Sequence, residues 1–377
     1  MKFLKSLVFV TAIAMAAASF AQEAKPEEKA PEKPKLKISG LGYLEWSKEL
    51  KHSSTTQTEN NNTFSIKRVY LDFQKKLDDM WSVRATTDVG QVESKSSKKY
   101  TETGTTTSTV ESKTNSYSLF LKYAYVEAKQ KFDFASYKFQ FGLIGTPLIG
   151  FVDKQSDYRW LEQNYADQAK TVIGTSIDHS ADLGVSMEIS LFQKLLTLTG
   201  SITNGEGYKV ADEVKLGDDG KAYYGMATVM PIDNAYLFGI YRYQDTNDMI
   251  SKNYNKYMGA GIAYSDELFK LGAMYLIPET SSKTTSSPTV TENKYKLFDS
   301  WVNVRLDTII SMPVIVVGRY AFGENEDATK SKITVWATGL GYQIADGLRA
   351  TVYYQNSKAE SKDDPDVNVF VKTEVKF

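Results

Sequence analysis

Apolar and polar residues alternate with a period of two along the chain from Leu36 to Phe377. That period is the signature of β-strands with one apolar and one polar face, because successive side chains point to opposite sides. Val367, Val369, Val371, Val375 and Phe377 alternate with Asn368, Phe370, Lys372, Glu374 and Lys376. Trp81, Val83, Ala85 and Val89 alternate with Ser82, Arg84, Thr86 and Asp88. The same holds for Val69, Leu71 and Phe73 against Arg68, Tyr70 and Asp72, and for Phe298, Val302 and Val304 against Asp299, Asn303 and Arg305. Leu348, Ala350 and Val352 alternate with Arg349, Thr351 and Gln355. Two stretches depart from the rule. Val314 to Val317 is apolar on both faces, and Phe64 and Ile66 are out of phase with Val69, which a bulge near Lys67-Arg68 would correct.

The connections predict how these strands are arranged. Short turn sequences lie at 77–79, 231–234, 265–267 and 344–347. Between them come long polar stretches at 47–63, 91–117, 145–181, 204–221, 245–256, 277–295, 323–331 and 357–366. A sandwich has no reason to sort its connections by length, whereas a transmembrane barrel has short turns at one rim and long loops at the other. The pattern therefore predicts an all-β fold, a transmembrane antiparallel β-barrel of about 16 strands with both ends on the short-turn, periplasmic side. A cation facing lipid near the midplane costs about 2–4 kcal/mol, so the charged face of each strand is assigned to the lumen. The 24 Tyr, 18 Phe and 5 Trp suit aromatic belts at the two interfaces. Phe73 and Trp81 flank one turn, Tyr264 and Phe269 another, and Trp46 and Phe64 flank the first long loop.

The beginning of the sequence sets the expected compartment. Lys2 and Lys5 precede an apolar run, Leu7 to Ala18, too short to span a bilayer, and Ser19-Phe20-Ala21 places small residues where a signal peptidase reads. We therefore read 1–21 as a signal peptide cleaved after Ala21, 22–35 as a flexible solvated leader and 36–377 as the barrel, with the bacterial outer membrane as its location. Mean hydropathy of −0.36 does not oppose this, since a barrel strand needs only about ten alternating residues. The chain has no Cys and only His52 and His179, which argues against zinc sites and cysteine nucleophiles, so neither a metal nor a cofactor is expected. The formal charge of −1 becomes −3 once Lys2 and Lys5 are removed, which is no footprint for nucleic acid.

Candidate chemistry lies in the charged residues of the lumen. Six of the seven arginines, Arg68, Arg84, Arg242, Arg305, Arg319 and Arg349, fall in predicted strands, and Lys122 and Lys138 join them as pore-lining candidates. Rings of fixed positive charge attract anions, and Arg holds phosphate or carboxylate bidentately. The competing reading pairs these arginines with Asp72, Asp88, Asp182 and Asp299 to brace the wall. The third long stretch, 145–181, carries Asp153, Asp157, Arg159 and Glu162 among Phe151, Tyr158, Trp160 and Tyr165. It is longer than a hairpin needs and is expected to fold inward as a constriction, the alternative being a loop on the rim. His179, between Asp178 and Ser180, does not form a catalytic arrangement, because sequence neighbours in a strand point apart. Gly40-Leu41-Gly42 lacks a third glycine and a following helix, so no dinucleotide site is implied. No catalytic residue is assigned.

Phe139-Gln140-Phe141-Gly142-Leu143-Ile144-Gly145-Thr146-Pro147 resembles the strand that opens into the inward loop of the phosphate-selective porin O and P family, with its G-Q-x-x-x-P pattern. Thr203-Asn204-Gly205-Glu206-Gly207-Tyr208 is similar to the exit from that family's following hairpin, and Ile66 to Ala85 resembles its early Arg-bearing hairpin. The resemblance covers most of the barrel in layout and few residues sharply. It implies a barrel of about sixteen strands, a homotrimer, passing small solutes. Leu143 stands where the pattern has Gln, and Gly145 where a Lys is frequent, so phosphate specificity is not carried over. The expectation is a diffusion porin with a lumen of mixed charge and a moderate anion preference. Its partners would be the lipid bilayer, the outer-membrane assembly machinery that reads a terminal aromatic such as Phe377, and small solutes or anions. The rivals are a structural or adhesin-type barrel without a conducting pore and an outer-membrane hydrolase.

Overall fold

Sixteen strands carry the alternation in a computed structural model that describes residues 35–52, 62–101, 107–209, 220–245, 253–283, 290–310, 312–327 and 331–377. The signal-peptide reading of 1–21, its cleavage site and nearly all of the leader lie outside the described residues. The strands are β1 (Lys37–Lys51), β2 (Asn62–Lys76), β3 (Trp81–Thr101), β4 (Thr107–Lys131), β5 (Ala135–Gly145), β6 (Ala181–Leu191), β7 (Leu196–Thr203) and β8 (Ala222–Ile232). They continue with β9 (Ala235–Asp245), β10 (Tyr254–Ser265), β11 (Phe269–Lys283), β12 (Val290–Arg305), β13 (Val314–Asn325), β14 (Lys332–Ala345), β15 (Leu348–Ala359) and β16 (Asp366–Lys376). Each pairs antiparallel with its sequence neighbours, and β1 pairs with β16, so the sheet closes on itself and has no edge.

The parity of the strands decides what faces where. Leu119 is 68 % exposed, Leu340 66 % and Phe141 60 %, all on the outward side of their strands. A continuous outward face of bare apolar side chains is unfavourable in water and suited to lipid. No described helix is long and apolar enough to cross a membrane.

The four short turn sequences each close a hairpin at one rim, whereas the β12–β13 connection at that rim, 306–313, is longer than the β13–β14 connection, 326–331, at the other. Asp233-Asn234 and Asp346-Gly347 make two-residue turns with left-handed backbone at Asn234 and Gly347 (φ 66° and 76°), the conformation tight hairpins require. Asp78 accepts from the backbone N–H of Met80 and Trp81, and Asp266 from those of Leu268 and Phe269, which closes the other two short turns. The bulge in β2 sits at Lys67, where pairing passes from Tyr43↔Arg68 to Leu44↔Ile66.

Two stretches expected as long loops are mostly strand. β3 and β4 pair from Gln91↔Tyr117 out to Thr101↔Thr107, so 91–117 is largely a hairpin arm, and β11 and β12 run through much of 277–295. Both are rich in Thr and Ser, polar enough to read as loop, while Thr is β-forming enough to keep the ladder. Among the described residues α-helix is confined to connections: α1 (Pro147–Ser156), α2 (Lys170–Ile173) and α3 (Asp307–Ile310). Pro147 opens α1, and the chain leaves it through a left-handed Asp157 (φ 50°).

Candidate functional site

The lumen has two unlike walls. From β9 to β15 the inward residues include Phe238, Ile240, Tyr257, Met274, Leu276 and Val317, all buried in one apolar cluster. From β2 to β7 they include Asp72, Thr86, Asp88, Glu127, Ser186 and Ser201. The β5–β6 connection folds inward and lies on the apolar wall, α1 against β8 and β10–β12 and α2 against β12–β14. Leu148, Ile149, Val152, Leu161 and Ile173 bury themselves in that cluster. At about 1.5–3 kcal/mol each, they supply most of the adhesion. The inward face of β13 is apolar at Ile315 and Val317 because it too belongs to this packing surface.

Ion pairs fix where the loop sits. Arg349 donates from both Nη atoms to the two carboxylate oxygens of Asp157 at 2.7 and 3.0 Å, and its Nε lies 2.8 Å from Glu374. Its guanidinium also lies over Trp160, 4.2 Å from the ring centre. Arg319 makes a fork to Asp299 at 2.9 and 2.7 Å and donates to the Gln163 carbonyl at 2.6 Å and to Glu162 at 3.3 Å. Glu162 accepts further from Tyr353 and Gln355. Lys372 donates to the Leu161 carbonyl and lies 3.1 Å from Glu45. Asp178, at the loop's end, accepts from Tyr224 and Tyr257, with Arg242 Nε 3.7 Å away. Within the loop, Arg159 bridges Asp153 at 3.2 Å and Asp167 at 2.6 Å. Burying such pairs returns little net stability, because desolvation offsets attraction, so their effect is positional.

The loop carboxyls differ in consequence. Burial pushes Asp178 up despite Arg242, and pushes Asp153 up despite Arg159. Burial also opposes ionisation of Asp157, but the Arg349 fork outweighs it and holds that carboxyl below the ordinary range.

The predicted residues fall into three groups. Arg242, Arg319 and Arg349 lie buried behind the loop, with their charges matched as above. Arg68 pairs with Asp88 at 2.5 Å, Arg84 with Asp72 at 2.7 Å and Lys138 with Glu188 at 2.7 Å on the polar wall. Lys122, the extra residue of a β4 bulge, donates to the Tyr70 hydroxyl at 3.1 Å. Arg305 stands apart, at the short-turn rim beside Asp307 and 46 % exposed, not near the narrow part. Asp72, Asp88 and Asp299 are the arginine partners the bracing reading named. Asp182 instead accepts from the backbone N–H of Leu183 and Gly205.

Space remains between the loop and the polar wall. One cavity of about 280 Å³ touches Tyr70, Arg84, Lys122, Asp153 and Arg159. A second, about 390 Å³, lies on the short-turn side of α1 and touches Arg84, Lys138, Lys154, Glu188 and Lys194. Lys154 and Lys194 have no carboxylate partner among the described residues. Sequence reasoning missed these two lysines, and also Lys372 and Tyr208. The parity of β16 marks Lys372 as inward. Tyr208, which donates to Asp88 at 2.7 Å and accepts from Arg68 at 2.9 Å, follows β7 in a connection with no periodic signal.

No family model matches the chain, and no curated protein does. Solved structures do. OmpT of Vibrio cholerae, an outer-membrane protein, superposes with a TM-score of 0.59 at 10 % identity, covering 93 % of this chain and 100 % of that one. OmpF of Salmonella typhi gives 0.58 at 11 % identity over 91 % of this chain and 98 % of that one. The outer-membrane channel DcaP of Acinetobacter baumannii gives 0.56 at 13 %, covering 94 % of this chain and 100 % of that one. A trimer form of the Vibrio OmpT also matches. At these identities the likeness is one of fold, a closed antiparallel barrel, which in this chain has 16 strands.

Proposed function

We propose that this barrel sits in a bacterial outer membrane and forms a water-filled channel for small hydrophilic solutes, with a moderate preference for anions. One observation carries the reading: the inward loop is seated on the apolar wall and leaves cavities along the polar one, where the charges without an opposite-charge partner among the described residues are the cations Lys122, Lys154 and Lys194. A fixed excess of one sign in a narrow aqueous passage selects the opposite sign. The proposal includes the signal peptide at 1–21, a homotrimer, and pore-lining and constriction roles for the residues named from the sequence. The phosphate selectivity of the O and P family is not part of it.

Reconstitution into a planar bilayer tests it. Discrete conductance steps are expected, with a reversal potential in a salt gradient on the anion side that moves toward zero selectivity in a Lys154→Gln/Lys194→Gln variant. A sealed barrel would remove the channel reading and leave the structural or adhesin one.

A further inference from the structure

The larger luminal cavity is amphipathic. Its cations are Arg84, Lys138, Lys154 and Lys194, against Glu188 as the one acid. Facing them are Phe151 of α1, Met226 and Met230 of β8 and Tyr236 of β9. Phe151 stands edge-on to Tyr236 with ring centres 5.7 Å apart, so this apolar side is packed and persistent. Water and inorganic ions gain nothing from such a surface, whereas an apolar solute body removes it from water at about 25 cal/mol per Å².

The cations also differ in what they offer. Arg84 is engaged: its Nε donates to Asp72 at 2.7 Å. Lys138 is held by Glu188 at 2.7 Å. The unengaged charges are therefore ammonium groups, compact point charges without the planar fork that grips a phosphate on two oxygens. A phosphate here finds lysine and Ser/Thr hydroxyl donors, but the flank made by Phe151, Met226, Met230 and the Tyr236 ring offers it little beyond the Thr228 hydroxyl and gains nothing from its contact. A carboxylate attached to an apolar or aromatic body matches both sides.

We infer that the solutes this cavity favours are organic monoanions, carboxylates bearing an apolar or aromatic body, rather than inorganic phosphate. The inference rests on the channel reading above and adds the substrate class.

Single-channel recording in potassium chloride tests it, with benzoate, acetate and inorganic phosphate added in turn. Benzoate is expected to interrupt the current at about tenfold lower concentration than acetate or phosphate, which corresponds to about 1.4 kcal/mol of apolar contact. In a Met230→Ser/Tyr236→Ser variant that advantage over acetate should vanish while acetate block stays. In Lys154→Gln/Lys194→Gln, block by all three should weaken, and chloride current in both variants shows that the barrel is folded. Equal block by benzoate and acetate in the parent protein overturns the inference and leaves the channel reading standing. Stronger block by phosphate than by benzoate also overturns it, in favour of an inorganic-anion site. Absence of chloride current overturns the channel reading, and this inference falls with it.

Discussion

Arg349 shows how far a single luminal charge can be understood from its strand. Parity alone places Arg349 inside, as it does Arg84 and Arg319, and the acids opposite Arg84 and Arg319 sit on neighbouring strands where sequence reading could name them. Asp157 could not be named, because it reaches Arg349 across the lumen from a loop, a contact no periodicity encodes. Removing Arg349 leaves Glu374, only 5 % exposed, as a buried charge without that partner, a change that costs about 3–5 kcal/mol, while Asp157, 37 % exposed, falls back on solvent and loses less. Arg349→Gln is therefore expected to lower the melting temperature in detergent and to increase open-channel noise as the loop loosens. Arg305→Gln is the contrast. Its pair with Asp307 is exposed and worth about 0–1 kcal/mol, so melting and reversal potential should both stay at parent values. A shift of selectivity in Arg305→Gln would mean that the rim, not the loop, sets the field.

The inward loop and the wall beneath it behave as one element. The sequence announced the loop by its length and its aromatic and charged content, yet left the doubly apolar Val314–Val317 without a reason. That reason is the loop itself, which needs an apolar seat on β13 and its neighbours. The hairpin arms of β3 and β4 were illegible for the opposite cause: Ser, Thr and Lys suit a solvated strand and a loop equally. Gly323 tests the seat. A Cβ there would stand 2.5 Å from both the Val172 carbonyl oxygen and Ile173 Cγ2, so the wall admits α2 only because the side chain is missing. Gly323→Val should push α2 off the wall into the lumen, at about the 1–3 kcal/mol typical of overpacking, and lower single-channel conductance or add sublevels. Unchanged conductance with an unchanged melt would show that α2 is not seated there. Acid should act on the same element through Asp157. Its lowered folded-state value means that its contribution is present above the ordinary carboxylate range and is lost as pH falls through that lowered value. Asp178 has the opposite sign and takes up its proton first without loosening the loop. The conductance should thus hold at pH 5 and change only below about pH 3.9, the unperturbed carboxylate value. A change already complete at pH 5 would assign the switch to a different group.

Closure of the whole barrel depends on one seam. β1 and β16 pair from Leu41↔Lys376 to Lys51↔Val367, the longest sequence separation in the sheet, and loop-closure entropy makes such a pairing slow to form. At its short-turn end, Gly40 N–H donates to the Phe377 carbonyl at 2.6 Å and Phe377 N–H to the Gly40 carbonyl at 3.0 Å, with the Phe377 ring lying against Gly40. Removing Phe377 takes away two backbone hydrogen bonds, each about 0.5–1.5 kcal/mol net, from a sheet in which every other strand pair is intact. The equilibrium loss is therefore smaller than that of Arg349→Gln. The rate is more exposed, because the final seam must register with fewer contacts to hold it while the remaining pairs form. A chain lacking Phe377 is expected to refold into detergent or lipid several-fold more slowly than the parent, followed by the heat-modifiable band on gels. Its melting temperature, once folded, should fall by less than that of Arg349→Gln. Equal refolding rates would refute the seam argument. A melting-temperature loss matching the Arg349→Gln variant would show that Phe377 stabilises the finished barrel rather than its closing.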